Sequence, residues 1–193
     1  SFPTRRSSDL CSNLMLAADY RRTMSTDELY LSVRESMEQI GALGIVCELI
    51  NGGIYYMSPA PNEKHQNIVG GIYSDIRSYI RGGGACSVLL APFDVKLNDR
   101  NTVQPDILVV CDKTKLDGKK CVGAPDWVIE VISPSSLERD MRDKLLLYFE
   151  AGVKEYWIAD PEKERVFVYI FGKPDILGIY TFDDNIPVGI YKD

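Results

Sequence analysis

Two short apolar runs in this 193-residue chain each enclose one carboxylate: Gln104-Pro-Asp106-Ile-Leu-Val-Val110 and Trp127-Val-Ile-Glu130-Val-Ile132. Their β-branched and aromatic content, bounded by turn residues, reads as strands. An ionised carboxylate in an apolar setting must be paired, protonated or bound to a cation, so Asp106 and Glu130 need partners that a surface acid does not. They lie 24 residues apart, room for one connection between neighbouring strands. If those strands pair, the two acids converge on one hard cation, Mg²⁺ or Mn²⁺, which takes one or two carboxylates together with phosphate and water. The competing reading is structural: Asp106 opens its strand after Pro105, and Glu130 pairs with a buried Lys or Arg. Asp126 forms a second Pro-Asp pair, but four residues before Glu130 it sits roughly 13 Å away on the same strand and cannot share its ligand.

The segments around these runs define an α/β (α+β) chain with a mixed sheet flanked by helices. Residues 23–40 carry Leu29, Val33, Met37 and Ile40 at helical spacing, with Ser25 or Thr26 as a cap. Val46 to Ile50 and Ile54 to Met57 flank Asn51-Gly52, a pair suited to the positive φ of a tight hairpin turn. Ser58-Pro-Ala-Pro61 breaks the pattern, and Asn62 to Arg81 resumes it through Ile68, Ile72, Ile76 and Ile80. Strands are expected at 88–97, 105–110, 127–132, 156–159 and 165–170, with a helix from Leu137 to Ala151. Ser135 and Glu138 form the capping box of that helix, and Gly152 ends it.

The boundaries drawn are 1–22 as a non-native or disordered segment and 23–193 as one domain. The first ten residues lack periodicity and resemble translated adaptor sequence. No apolar run approaches the roughly 18–20 residues of a membrane span, so a cytoplasmic, membrane-free protein is expected. Five cysteines, odd in number and without a CxxC pair, read as buried reduced thiols. The net charge of −6 excludes nucleic-acid binding through overall charge alone. It is unevenly spread: residues 1–61 carry −2, residues 62–121 carry +2 and residues 122–193 carry −6.

Hydrolysis of a phosphodiester also needs a cation to orient water or offset charge on the phosphate. Two residues beyond Glu130, on the same strand face, stands Ile132. Lys144 is the nearest lysine in a helix. Met141, Leu147 and Tyr148, one turn away, point it toward the sheet, whereas Asp140 and Asp143 suit a solvated lysine. His65, the single histidine, suits either a capping or hydrogen-bonding role, or contact with phosphate or help in proton transfer. Gln104 shares a face with Asp106 and is placed to orient it or a water.

Beyond the individual residues, ordered blocks resemble a known family. Glu48-Leu-Ile-Asn-Gly-Gly-Ile-Tyr-Tyr-Met-Ser-Pro59, His65-Gln66, Ala91-Pro-Phe-Asp-Val-Lys-Leu97, Gln104-Pro-Asp106, Ala124-Pro-Asp126, Val128-Ile-Glu130-Val-Ile-Ser-Pro134 and Gly152-Val-Lys-Glu-Tyr-Trp-Ile-Ala-Asp-Pro161 look like the Uma family of putative restriction endonucleases, within the PD-(D/E)XK nuclease superfamily. The resemblance implies a restriction-endonuclease-like core, Mg²⁺-dependent (or Mn²⁺-dependent) hydrolysis of DNA, and Asp106 and Glu130 as metal ligands. It also implies that the lysine usually found two residues after the acid has moved to the following helix, as Lys144, and that Glu48 binds metal or positions water. As a hairpin-strand acid, Glu48 equally suits a cross-strand partner. Relatives often carry glutamate after the hairpin turn where this chain has Gly53. Cutting two strands suggests a homodimer. The alternatives are a non-catalytic nucleic-acid-binding or regulatory module on the same fold, and an enzyme acting on a small phosphorylated compound.

Overall fold

The computed structural model describes residues 46–57, 60–83, 85–172 and 176–191, together with 32–33, 35–37 and 39–40. These last seven positions are helical, in the second half of the helix expected at 23–40. Its proposed caps Ser25 and Thr26, and the segment 1–22, lie outside the described residues.

Strands β1 (Cys47–Ile50) and β2 (Gly53–Tyr56) form the expected hairpin. Asn51 and Gly52 take φ of 54° and 83°, the left-handed pair that matches the twist of the strands. The turn is held by β5 (Asn101–Val103), a three-residue strand too short to announce itself by pattern. Asn51 N–H donates to Asn101 Oδ1 at 2.6 Å, and Gly52 N–H to the Arg100 carbonyl at 3.0 Å. Helix α1 (Glu63–Arg81) starts where the Asn62 side chain accepts the His65 N–H, 2.9 Å away. Its stripe of Ile68, Ile72, Ile76 and Ile80 packs on the sheet.

The run expected as one strand at 88–97 is two. Strands β3 (Ser87–Leu90) and β4 (Asp94–Asn98) belong to different sheets, and the chain switches between them at Pro92, which has no N–H for a ladder. A five-stranded sheet runs β2-β1-β5-β4-β7, closed by β7 (Lys120–Val122). The six-stranded sheet runs β11-β10-β9-β8-β6-β3, with β6 (Ile107–Val110), β8 (Trp127–Val131), β9 (Glu155–Asp160), β10 (Arg165–Ile170) and β11 (Ile176–Thr181). Strand β11 carries Gly178 and went unread, because glycine weakens the strand pattern. Strands β8 and β9 are parallel, joined by the helical crossover that follows β8, while the other pairs of this sheet are antiparallel. The architecture is α+β with mixed sheets. No described helix is long and apolar enough to cross a membrane.

Every residue of β8 is buried, as expected for a central strand covered on both faces. Alternation sends Trp127, Ile129 and Val131 into the cluster under α1, and Val128 and Ile132 into the opposite cluster with Leu147, Tyr148 and Tyr156. The crossover helix begins at Leu137, as expected. Just ahead of it, Leu137 N–H donates to the Ser133 carbonyl at 3.0 Å and Ser133 N–H to Ser136 Oγ at 3.0 Å. Residues Arg139–Asp143 then widen into a π-turn before α2 (Lys144–Ala151), which ends at Gly152 with φ 88°.

The cysteine expectation is corrected as well. Cys86 and Cys111 form a disulfide. Because Ser87 is paired with Val110, strand register sets these two cysteines opposite each other, which spacing alone cannot show. Cys47 and Cys121 are buried free thiols, and Cys11 lies outside the described residues.

Glu155 ties the C-terminal segment to the sheet. Its buried carboxylate accepts the Trp157 indole N–H at 2.7 Å and the N–H groups of Gly189 and Ile190 at 2.8 and 3.0 Å. Glu155→Ala strands these donors, so a loss of about 3 kcal/mol in urea unfolding is expected, with hydrogen-exchange protection falling first at 189–191.

Candidate functional site

Register turns 24 residues of separation into adjacency. Ile107 is paired with Ile129 across the antiparallel β6 and β8, so the next pair outward is Asp106 and Glu130. Their backbones and carboxylates interlock: Val131 N–H donates to Asp106 Oδ2 at 2.8 Å, and Asp106 N–H to Glu130 Oε2 at 3.4 Å.

Lys144, only 3% exposed, enters from the first turn of α2. Its Nζ lies 2.8 Å from Glu130 Oε1, 2.9 Å from Glu48 Oε1 and 3.4 Å from Asp140 Oδ1. Glu48 comes from the buried β1, where Gln104 N–H also donates to its Oε1 at 3.0 Å. Tyr148, one turn beyond Lys144, donates its hydroxyl to Glu130 Oε1 at 3.0 Å. Tyr156 packs edge-on against Tyr148 and donates to the Asp140 carbonyl at 3.1 Å. The π-turn thus delivers both Asp140 and Lys144 to one acidic centre, as such turns often do at functional sites.

Three carboxylates, Glu48, Glu130 and Asp140, gather around one ammonium, and Asp106 stands beside Glu130. Burial disfavours the Lys144 charge, but Glu130, Glu48 and Asp140 outweigh it and raise its pKa well above the ordinary lysine value. Lys144 is a fixed cation. Burial pushes the Glu130 carboxyl well above the usual range. Lys144 pulls it down, while Asp140, Asp106 and Glu48 push it further up. Burial and the Glu48 charge likewise raise Asp140 against Lys144, Ser136 and Arg139. Arg139 sits at the edge, its Nε 3.9 Å from Glu48 Oε2 and its guanidinium 5.7 Å from the centre of the Tyr55 ring.

The structure therefore brings Asp106, Glu130, Lys144 and Glu48 together in one cleft of about 530 Å³, which His65 and Gln104 also line. His65 is the hydrogen-bonding histidine of the structural reading. Its N–H is capped by Asn62, while its Nε2 lies 3.3 Å from Asp106 Oδ2. That hydrogen bond raises the imidazole pKa against the opposing effect of burial. Gln104 departs from expectation: its amide nitrogen donates to Asp94 Oδ1 at 2.7 Å instead of orienting Asp106, and its backbone N–H holds Glu48. Asp126 lies at the other end of β8, paired with Lys154 at 2.6 Å and accepting Cys111 N–H at 2.7 Å, outside the centre. Asp140 and Tyr148 were not singled out from sequence, although both stand one helical turn from Lys144. Lys64, Arg139 and Lys163 add basic groups to the cleft lining.

The donor set fits a hard divalent cation. Asp106 and Glu130 offer adjacent oxygens, Glu48 Oε2 is buried with no hydrogen-bond partner, and the acids outnumber the one buried ammonium. Among the described residues no three His, Cys, Asp or Glu side chains form a closed cage. The type that fits is accordingly an ion on two carboxylates that keeps most of its water.

Comparison with known proteins gives the family and the fold. The Uma2 family, described as "Putative restriction endonuclease", matches residues 35–181. A crystal structure of a putative nuclease belonging to DUF820 from Anabaena variabilis ATCC 29413 is similar, with a TM-score of 0.62 and 25% identity. The match covers 74% of this chain and 81% of that one, and it makes the fold restriction-endonuclease-like. No protein of curated function matches the chain.

Proposed function

The chain belongs to the Uma2 family, and from that premise we propose that it is a metal-dependent endonuclease hydrolysing phosphodiester bonds of DNA. The observation that carries this reading is the convergence of Asp106, Glu130 and Lys144 at hydrogen-bond distances in one open cleft.

Asp106 and Glu130 are the residues that would hold Mg²⁺ or Mn²⁺. Such an ion supplies charge neutralisation at the phosphate and a more acidic water. Lys144 keeps its proton, so its part is electrostatic: a preorganised cation beside the reacting phosphate, unsuited to act as base. Glu48 and Asp140 fix the ammonium in place, and Tyr148 fixes the Glu130 oxygen that Lys144 touches. His65 holds the other acid, through Asp106 Oδ2. Lys64, Arg139 and Lys163 set cations among the acids of the cleft wall, where contacts to a polymer backbone would weaken steeply with salt. Cleavage of both strands calls for two such centres, so a homodimer is the assembly proposed on duplex DNA.

The test uses supercoiled plasmid DNA with Mg²⁺, Mn²⁺ or EDTA. Nicked and linear products are expected with either metal and none with EDTA, and Asp106→Asn is expected to cut about 10²–10³-fold more slowly. Equal cleavage by wild type and Asp106→Asn overturns the assignment. Salt-sensitive DNA binding without cleavage supports the non-catalytic module instead.

A further inference from the structure

A second cavity, of about 700 Å³, opens on the α1 side of the six-stranded sheet, between that helix and residues 181–191. It shares no lining residue with the catalytic cleft. Trp127 and Trp157 line it as an edge-on pair with ring centres 4.6 Å apart, and Tyr79 and Tyr191 as a tilted pair at 4.8 Å.

The two indoles differ in one informative respect. Trp157 donates its N–H to Glu155, whereas Trp127, 1% exposed, keeps a buried N–H with no acceptor. The Tyr191 hydroxyl is likewise buried and unpartnered. An indole N–H can only donate, and buried donors are ordinarily paired, so an acceptor is missing beside a space able to hold one. The charged lining residues are Asp75 and Asp184, with no Lys, Arg or His among the described residues that form the walls. Asp184 is fixed there by the backbone and hydroxyl of Thr181.

We propose that this cavity binds a neutral, flat heteroaromatic compound of nucleoside size. Its ring packs among the four aromatic side chains, and a ring nitrogen or carbonyl oxygen accepts the Trp127 N–H. The two carboxylates and the lack of a cation exclude phosphorylated forms, so this site selects against the chemistry that the catalytic cleft selects for.

The test titrates adenosine, cytidine and caffeine into the full chain without divalent metal, following indole fluorescence and heat. Saturable binding of at least one compound is expected, with AMP at least tenfold weaker than adenosine where adenosine binds. Trp127→Phe, which keeps the ring and removes the donor, weakens the effect at least fivefold. Tyr191→Phe, at a half-exposed position, weakens it at least twofold and covers the case in which the tryptophan variant fails to fold. Asp106→Asn leaves it unchanged. No saturable binding of any compound, AMP binding as well as adenosine, or full affinity in the tyrosine variant overturns the proposal.

Discussion

Lys144→Met is expected to abolish cleavage and to cost about 3–5 kcal/mol of folding stability, the usual penalty for removing one partner from a buried ionic cluster. Methionine keeps the length and apolar stem of the side chain but removes the ammonium that Glu48, Glu130 and Asp140 approach within 2.9, 2.8 and 3.4 Å. Those carboxylates are then left facing one another in a buried setting, and they answer by taking up protons. The sign of the pH dependence follows. Carboxyl pKa values raised in the folded state mean that the native variant binds more protons than the unfolded chain, so its stability falls as pH rises through the raised values. Urea unfolding should therefore show Lys144→Met recovering part of its loss as the pH is lowered from about 8 toward about 5. A variant as stable as wild type throughout that range would remove Lys144 from the centre of the account.

Glu130→Gln should separate activity from stability. Cleavage is expected to drop by about 10²–10³-fold, as when one preorganised electrostatic group is removed. Folding stability should stay within about 1 kcal/mol of wild type, because a site crowded with like charges is one where function costs stability. The glutamine carbonyl can still accept from Lys144 and from the Tyr148 hydroxyl, the two donors that Glu130 Oε1 serves at 2.8 and 3.0 Å. One negative charge also leaves a buried site where burial first, and then the neighbouring acids, push Glu130 up, and Lys144 retains Glu48 and Asp140 as partners. Calorimetry with Mn²⁺ should show the affinity lost together with the cleavage.

What could be read from the sequence divides by the range of the interactions involved. The Asn51-Gly52 turn, the isoleucine stripe of α1 and the acid-bearing runs of β6 and β8 are local patterns, and they stand where the spacing put them. The short strands β5 and β7, the Cys86–Cys111 bond and the sheet switch at Pro92 depend on which distant strands pair. At the site, spacing left Lys144 between the sheet and solvent, and the family resemblance implied Glu48, Asp106, Glu130 and Lys144 as one centre. The partner of Gln104 was misread because Asp106 is near in sequence, whereas Asp94 is brought near only by the fold. Asp140 looked like a reason for Lys144 to be solvated and is instead a buried neighbour that holds it. The π-turn that puts both side chains on one face has no local signature in Arg139–Asp143. The acidity of the C-terminal third, which first spoke against a nucleic-acid partner, is in part this cluster: Glu130 and Asp140 both belong to it.

Cleavage of duplex DNA by wild type and Glu130→Gln, both verified as folded and both supplied with Mn²⁺, tests the central claim most directly. The account predicts metal-dependent strand scission by wild type and at least a hundredfold slower reaction by the variant at equal stability, in line with loss of an electrostatic group at the reacting centre. Equal rates for the two proteins, or scission by wild type that persists in EDTA, would contradict it.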